Sequence, residues 1–135
     1  FYERLLNGRA EKLTDIVSED LMETICFYDY RESYYHGFLA GRLKNIGNHI
    51  VQSNRETGNG RQYILVRYPS VRGKAVIIEI KISKTYQGME EKCDEALNQI
   101  EEQKYEEALR QEGYQDILKY GVAFYRKECL VKLAK

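Results

Sequence analysis

The chain has no tryptophan, only three cysteines, no excess of either charge, and no long apolar run. Each shortage excludes something. Cys26, Cys93 and Cys129 are odd in number and far apart, which gives neither a disulfide framework nor a zinc-ligand spacing. Such cysteine usage suits a reducing cytoplasm, the expected compartment. No stretch is long and apolar enough to span a membrane, and no signal peptide is visible. The 21 basic residues are balanced by 21 acidic ones. The broad basic footprint common in nucleic-acid binders is therefore missing, although a local patch is compatible with neutrality. The twelve tyrosines are a skewed aromatic set that points to no function. What remains is ordinary for one globular domain with a real core: 135 residues, 43% hydrophobic and 31% charged. The chain opens at Phe1-Tyr2-Glu3 without an initiator Met, so it is expected to be a fragment of something longer.

The most informative stretch is Lys74-Ala75-Val76-Ile77-Ile78-Glu79-Ile80-Lys81-Ile82. β-Branched residues dominate it and a glycine-bearing turn precedes it, the signature of a strand. Side chains alternate along a strand, so Val76, Ile78, Ile80 and Ile82 share a fully apolar face. Ala75, Ile77, Glu79 and Lys81 share the other. A carboxylate and an ammonium thus sit two residues apart at the end of an otherwise buried strand. One reading is a solvent-facing charge pair on a half-covered strand. The other is a metal-binding carboxylate with a lysine beside a phosphate site, because buried charges must be paired or bind a metal.

The rest of the chain supplies a frame. Leu13, Ile16, Val17, Leu21 and Ile25 recur at helical spacing, so residues 1 to 28 are expected to be helical, with a possible break at Ser18-Glu19-Asp20. A second helix begins near Glu32, with Asp29 as a plausible N-cap. Its inward stripe is Tyr35, Leu39 and Leu43, and Glu32 falls on that stripe. Glu32 also suits the first turn of a helix for electrostatic reasons alone. His36 lies near the stripe and reads as a hydrogen-bonded core residue. Gly37 and Gly41 suggest close packing of this helix on another element. Three strands follow: His49–Ser53, Gln62–Tyr68 and Lys74–Ile82, a meander. The polar link Asn54–Arg61 reads as a hairpin connection. Its Gly58-Asn59-Gly60 is a weak phosphate-loop candidate, since the Gly-Lys-Ser/Thr ending and the following helix are missing. One long helix is expected from Gln87 to Gln111, with an acidic solvated side, with Gln99 and Tyr105 at the edge facing the sheet, and with Gly113 as its cap. Strands over Ile117–Tyr125 and Glu128–Leu133 close the domain. A strand, a helix and another strand in succession imply a parallel crossover.

This order resembles the PD-(D/E)XK nuclease superfamily. Within it, the chain is most similar to the branch found downstream of AAA-ATPase-like domains in bacterial proteins. The resemblance is carried by Tyr35-His36-Gly37-Phe38-Leu39, Ser53-Asn54-Arg55-Glu56, Gly60-Arg61, Ala75 to Lys81, Glu95 to Ile100, Lys104-Tyr105 and Tyr120 to Tyr125. It covers residues 31 to 133. It implies an α/β, restriction-endonuclease-like core: a mixed β-sheet, meander plus parallel crossover helix, flanked by helices. Residues 30–135 would form the nuclease-like domain, and residues 1–29 a helical segment leading to an upstream ATPase-like domain.

The resemblance also implies roles. Glu32 and Glu79 would hold Mg²⁺ or Mn²⁺. Lys81 would orient the attacking water and stabilise charge on the phosphate, with Gln99 as the accessory polar residue. The implied partner is nucleic acid, DNA before RNA. Mg²⁺ takes hard oxygen ligands, acidifies water and offsets charge on a phosphodiester, which suits such a set. One position departs from the pattern. Where the superfamily string is close to Gly-Arg-x-Asp-Ile, this chain has Gly60-Arg61-Gln62-Tyr63-Ile64. Tyr63 stands at the metal-binding aspartate, and a neutral phenol is a poor Mg²⁺ ligand. The expected activity is metal-dependent phosphodiester hydrolysis impaired at Tyr63, unless another acid such as Glu56 is recruited. The alternative is a catalytically inactive nuclease-fold module that binds nucleic acid or a partner ATPase domain.

Overall fold

Among the described residues, five strands and five helices follow one another as α1 (Tyr2–Leu6), α2 (Ala10–Thr24), α3 (Glu32–Leu43), β1 (Ile50–Glu56), β2 (Arg61–Arg67), β3 (Lys74–Ile82), α4 (Met89–Glu102), α5 (Tyr105–Glu112), β4 (Asp116–Tyr125) and β5 (Glu128–Leu133). This is a computed structural model, and it describes residues 1–24, 32–56 and 61–134. The Gly58-Asn59-Gly60 candidate lies outside the described residues.

The strands form a single sheet in the order β1-β2-β3-β4-β5. β1, β2 and β3 are an antiparallel meander, β3 and β4 run parallel, and β5 returns antiparallel to β4. The α4–α5 segment is the crossover that a parallel pair requires. Alternation along β3 separates two layers as the sequence implied. Val76, Ile78 and Ile80 join Ile64, Val66, Tyr120, Val122 and Phe124 in the main core. α1, α2 and α3 cover it with Leu5, Leu13, Val17, Leu21, Tyr35, Leu39 and Leu43. The other face lies under α4 and α5. There Ala75 and Ile77 meet Ile100, Leu109 and Tyr114, while Ala123 meets Met89 and Cys93. Gly121 sits at the tightest crossing: a Cβ on it would lie 2.4 Å from the Cys93 carbonyl oxygen.

Three local expectations are corrected. The N-terminal helix breaks at Asn7-Gly8-Arg9, not at Ser18-Glu19-Asp20. Gly8 takes the left-handed conformation (φ +70°) that glycine adopts at little cost, and this allows the turn. Ser18 does not compete with its own helix backbone, because its hydroxyl is engaged elsewhere. Its Oγ donates to the Cys129 carbonyl at 3.2 Å and accepts from the Cys129 N–H at 3.3 Å. Thr14 Oγ1 accepts the Val131 N–H at 2.9 Å. α2 thereby satisfies outward-facing backbone groups of the edge strand β5, which would otherwise be open to pairing with another chain.

The single long helix is two, broken at Lys104, whose φ is 58°. The apolar stripe of α4 runs Met89, Cys93, Ala96, Ile100; its next positions in a continuous helix would be Gln103, Lys104 and Glu107. The apolar residues are Tyr105 and Leu109 instead, and the break brings them back toward the sheet. Finally, Gly37 and Gly41 do not mark a tight packing interface: a Cβ on either would meet no other described element within 4 Å. Gly113 caps α5 as expected, with φ +116°. No helix among the described residues is long and apolar enough to cross a membrane.

Candidate functional site

Strand register builds the site. Reading across the sheet, Asn54 pairs Tyr63, Tyr63 pairs Glu79, Glu79 pairs Gly121 and Gly121 pairs Lys132. Directly paired residues share a face, so this row lies on the α4 side with Lys81 one step further along β3. Glu79 is fully buried, and both its oxygens are enclosed. The solvent-facing charge pair is thus excluded for Glu79, while Lys81 is half-buried. The reason is topological: α4 and the neighbouring strands cover a position that an isolated strand would leave wet.

Tyr63 stands beside Glu79, where the resemblance calls for an aspartate. Its ring packs on Tyr105 with centroids 4.3 Å apart and planes inclined by 33°. Asn54 Nδ2 donates a hydrogen bond of 2.8 Å to the Tyr63 hydroxyl. The tyrosine is therefore held from two sides. Gln99 lies on α4 within one turn of Ala96 and Leu97, the residues that crowd Gly121. It is half-buried, and its enclosed Oε1 has no hydrogen-bond partner among the described residues.

Tyr105 is positioned by the α4–α5 break, and the break is pinned by a charge cluster. Lys119 Nζ on β4 reaches Glu101 Oε1 at 2.6 Å and Glu106 Oε1 at 2.7 Å, one acid on each side of the break. Arg110 adds a 2.7 Å contact to Glu106. The hydrogen bond from Lys119, then that from Arg110, holds the Glu106 carboxyl below its ordinary value. Burial works against the Lys119 ammonium, but its bonds to Glu101 and Glu106 outweigh this and raise its pKa.

Glu32 is the first residue of α3, and its side chain lies outside the described residues. The buried residues of that helix pack on the opposite face of the sheet from Glu79. His36 is a buried core histidine whose Nε2 is hydrogen-bonded to Ser53 Oγ, as its place beside the apolar stripe suggested. Sequence reasoning missed Asn54, which it placed in the hairpin link. β1 continues through that residue to Glu56, and counting the hairpin back from Tyr63 would have put Asn54 opposite it.

The donor set can be tested against a divalent metal. Mg²⁺ needs near-octahedral oxygen ligation, commonly anchored by one or two carboxylates. Of Glu79's two paired neighbours, one is a phenol and the other is Gly121, with no side chain. Among the described residues no three His, Cys, Asp or Glu side chains gather into a metal-holding group. The described residues do not fit such an ion.

A meander joined by a parallel crossover, with flanking helices and a Glu-Ile-Lys string on the third strand, defines a restriction-endonuclease-like fold. The family model of the PD-(D/E)XK nuclease superfamily matches residues 30–133, and the chain belongs to that superfamily. No curated protein and no solved structure gave a significant match.

Proposed function

We propose that this nuclease-like domain binds nucleic acid, DNA in preference to RNA, with metal-dependent phosphodiester hydrolysis impaired at Tyr63. One observation carries the reading: Tyr63 fills the place beside Glu79, fixed by Tyr105 and Asn54. A phenol there supplies no charge to offset a divalent cation. Glu79, Lys81 and Gln99 retain the residue types of a hydrolytic site. Lys81 stands two residues from Glu79 on the same face, where an ammonium would meet a phosphate. Superfamily members typically use divalent metals, and Mg²⁺ or Mn²⁺ is the cofactor that a restored site would take, with Glu79 and Glu32 as its carboxylates. In the full-length protein, residues 1–29 would lead to an ATPase-like domain in the bacterial cytoplasm.

The test is plasmid nicking with Mg²⁺ and with Mn²⁺, by the wild-type chain, Tyr63→Asp, and Tyr63→Asp/Lys81→Ala. The expected result is little nicking by the wild type, a gain in Tyr63→Asp, and loss of that gain in the double variant. Wild-type nicking equal to that of Tyr63→Asp would overturn the impairment. A gain unaffected by Lys81→Ala would remove Lys81 from the site.

A further inference from the structure

The cations of this neutral chain are unevenly employed. Arg42, Arg67, Lys92, Arg110, Lys119 and Lys132 are all in ion pairs. Arg4, Arg9 and Lys12 are exposed and make no ion pair among the described residues. These three line one hollow of about 240 Å³ at the α1–α2 joint, together with Asn7 and Glu3. Arg9 and Lys12 do not serve their helix. They stand at the start of α2, where the helix dipole disfavours positive charge.

The joint that carries them is fixed to the sheet. The Arg9 N–H donates to the Arg4 carbonyl at 2.9 Å. Lys74 Nζ donates to the Leu6 carbonyl at 2.6 Å, and the Tyr120 hydroxyl donates to the Leu5 carbonyl at 2.5 Å. Gly8 lies against Leu133, 3.1 Å from where its Cβ would be. The side chains are long, but the backbone presenting them is held in place. The hollow belongs to the α1–α2 joint, which is anchored at Lys74, five residues or about 17 Å along β3 from Glu79. It also lies outside residues 30–133, the part that matches the superfamily.

We infer that Arg4, Arg9 and Lys12 form a second contact surface for the phosphate backbone of nucleic acid, separate from the Glu79 face. The inference rests on the nucleic-acid reading above and adds where part of the affinity is generated. Such contacts position the ligand without reading its sequence. Each neutralised phosphate releases counterions, so each contributes about 0.9 to the slope of log affinity against log salt on duplex DNA.

The experiment is fluorescence anisotropy with a short random-sequence duplex DNA, between about 50 and about 200 mM salt. It compares the wild type, Arg4→Ala/Arg9→Ala/Lys12→Ala, and a control with the same change in net charge, Lys44→Ala/Lys92→Ala/Lys127→Ala. The first triple variant is expected to bind at least about tenfold more weakly at low salt, with a slope shallower by about 2 to 3 units. The control keeps the wild-type slope. If the first variant does not fold, Arg9→Gln/Lys12→Gln should still flatten the slope by about 2 units. An unchanged slope in the Arg4 variant, or equal flattening in both triple variants, overturns this surface and leaves the proposed function standing. Absence of wild-type DNA binding overturns both. Loss of binding to phosphatidylserine vesicles with DNA binding intact would assign the surface to membranes and overturn the inference.

Discussion

The two faces of β3 carry nearly the same number of side chains but solve different problems. On one, Val76, Ile78 and Ile80 meet three helices in a continuous apolar core. On the other, Ala75 and Ile77 are packed in the same dry way, and then the pattern changes to Glu79 and Lys81. The second face buries a carboxylate completely, and burial of a charge never stabilises by itself. The first face explains why the sheet folds. The second carries the charged positions on which the proposed function rests, with Tyr63 beside Glu79.

The comparison can be broken first on the apolar face. Ile78→Ala should lower unfolding stability by about 2–5 kcal/mol, measured by urea denaturation, since Ile78 is only 2% exposed in the largest cluster. A change below about 1 kcal/mol would mean that this face does not hold the fold. On the opposite face the sensitive point is backbone packing. Gly121→Ala places a methyl 2.4 Å from the Cys93 carbonyl oxygen, and α4 must shift. A loss of about 1–3 kcal/mol is expected, read by the same denaturation curve. A neutral outcome would show that α4 does not sit tightly over the Glu79 row.

A smaller effect sharpens the account of the α4–α5 break. Glu106→Gln removes one of the acids that straddle it and should cost about 0.5 kcal/mol at pH 7. The folded carboxyl titrates below its ordinary value of 4.5, held there by Lys119 and then Arg110. Its contribution is therefore present above that value and lost as pH falls through the lowered folded one. The variant should lose less stability on acidification than the wild type, and parallel pH–stability curves would contradict this. The smallest effect is chemical. Burial pushes the Cys93 thiol up to about 12, so it should resist alkylation at pH 8 in the folded state. Rapid modification there, mapped by mass spectrometry, would mean that α4 opens readily from the sheet.

Much of this architecture was legible in the residues. β3 was readable in both extent and facing because its alternation is strong, and the crossover followed from strand, helix, strand. The break at Lys104 was not read, because the apolar residues on either side look like one stripe until their phase is counted through Tyr105. The break at Gly8 was missed because its turn depends on a single glycine. Glu79 and Tyr63 are expected site positions only through the resemblance to known nucleases. That the two are register partners, and that Tyr105 and Asn54 fix Tyr63, depends on the sheet and on a helix break. Sequence spacing alone carries neither.

The most direct test of the central claim is thermal unfolding with and without Mn²⁺, on the wild type and on Tyr63→Asp. A ligand that binds only the folded state raises apparent stability by RT ln(1 + [L]/Kd), about 2.7 kcal/mol at a hundredfold excess over Kd. The account predicts a metal-dependent rise in Tm for Tyr63→Asp and none for the wild type. An equal rise in the wild type would contradict it, because the metal would then be held with Tyr63 in place.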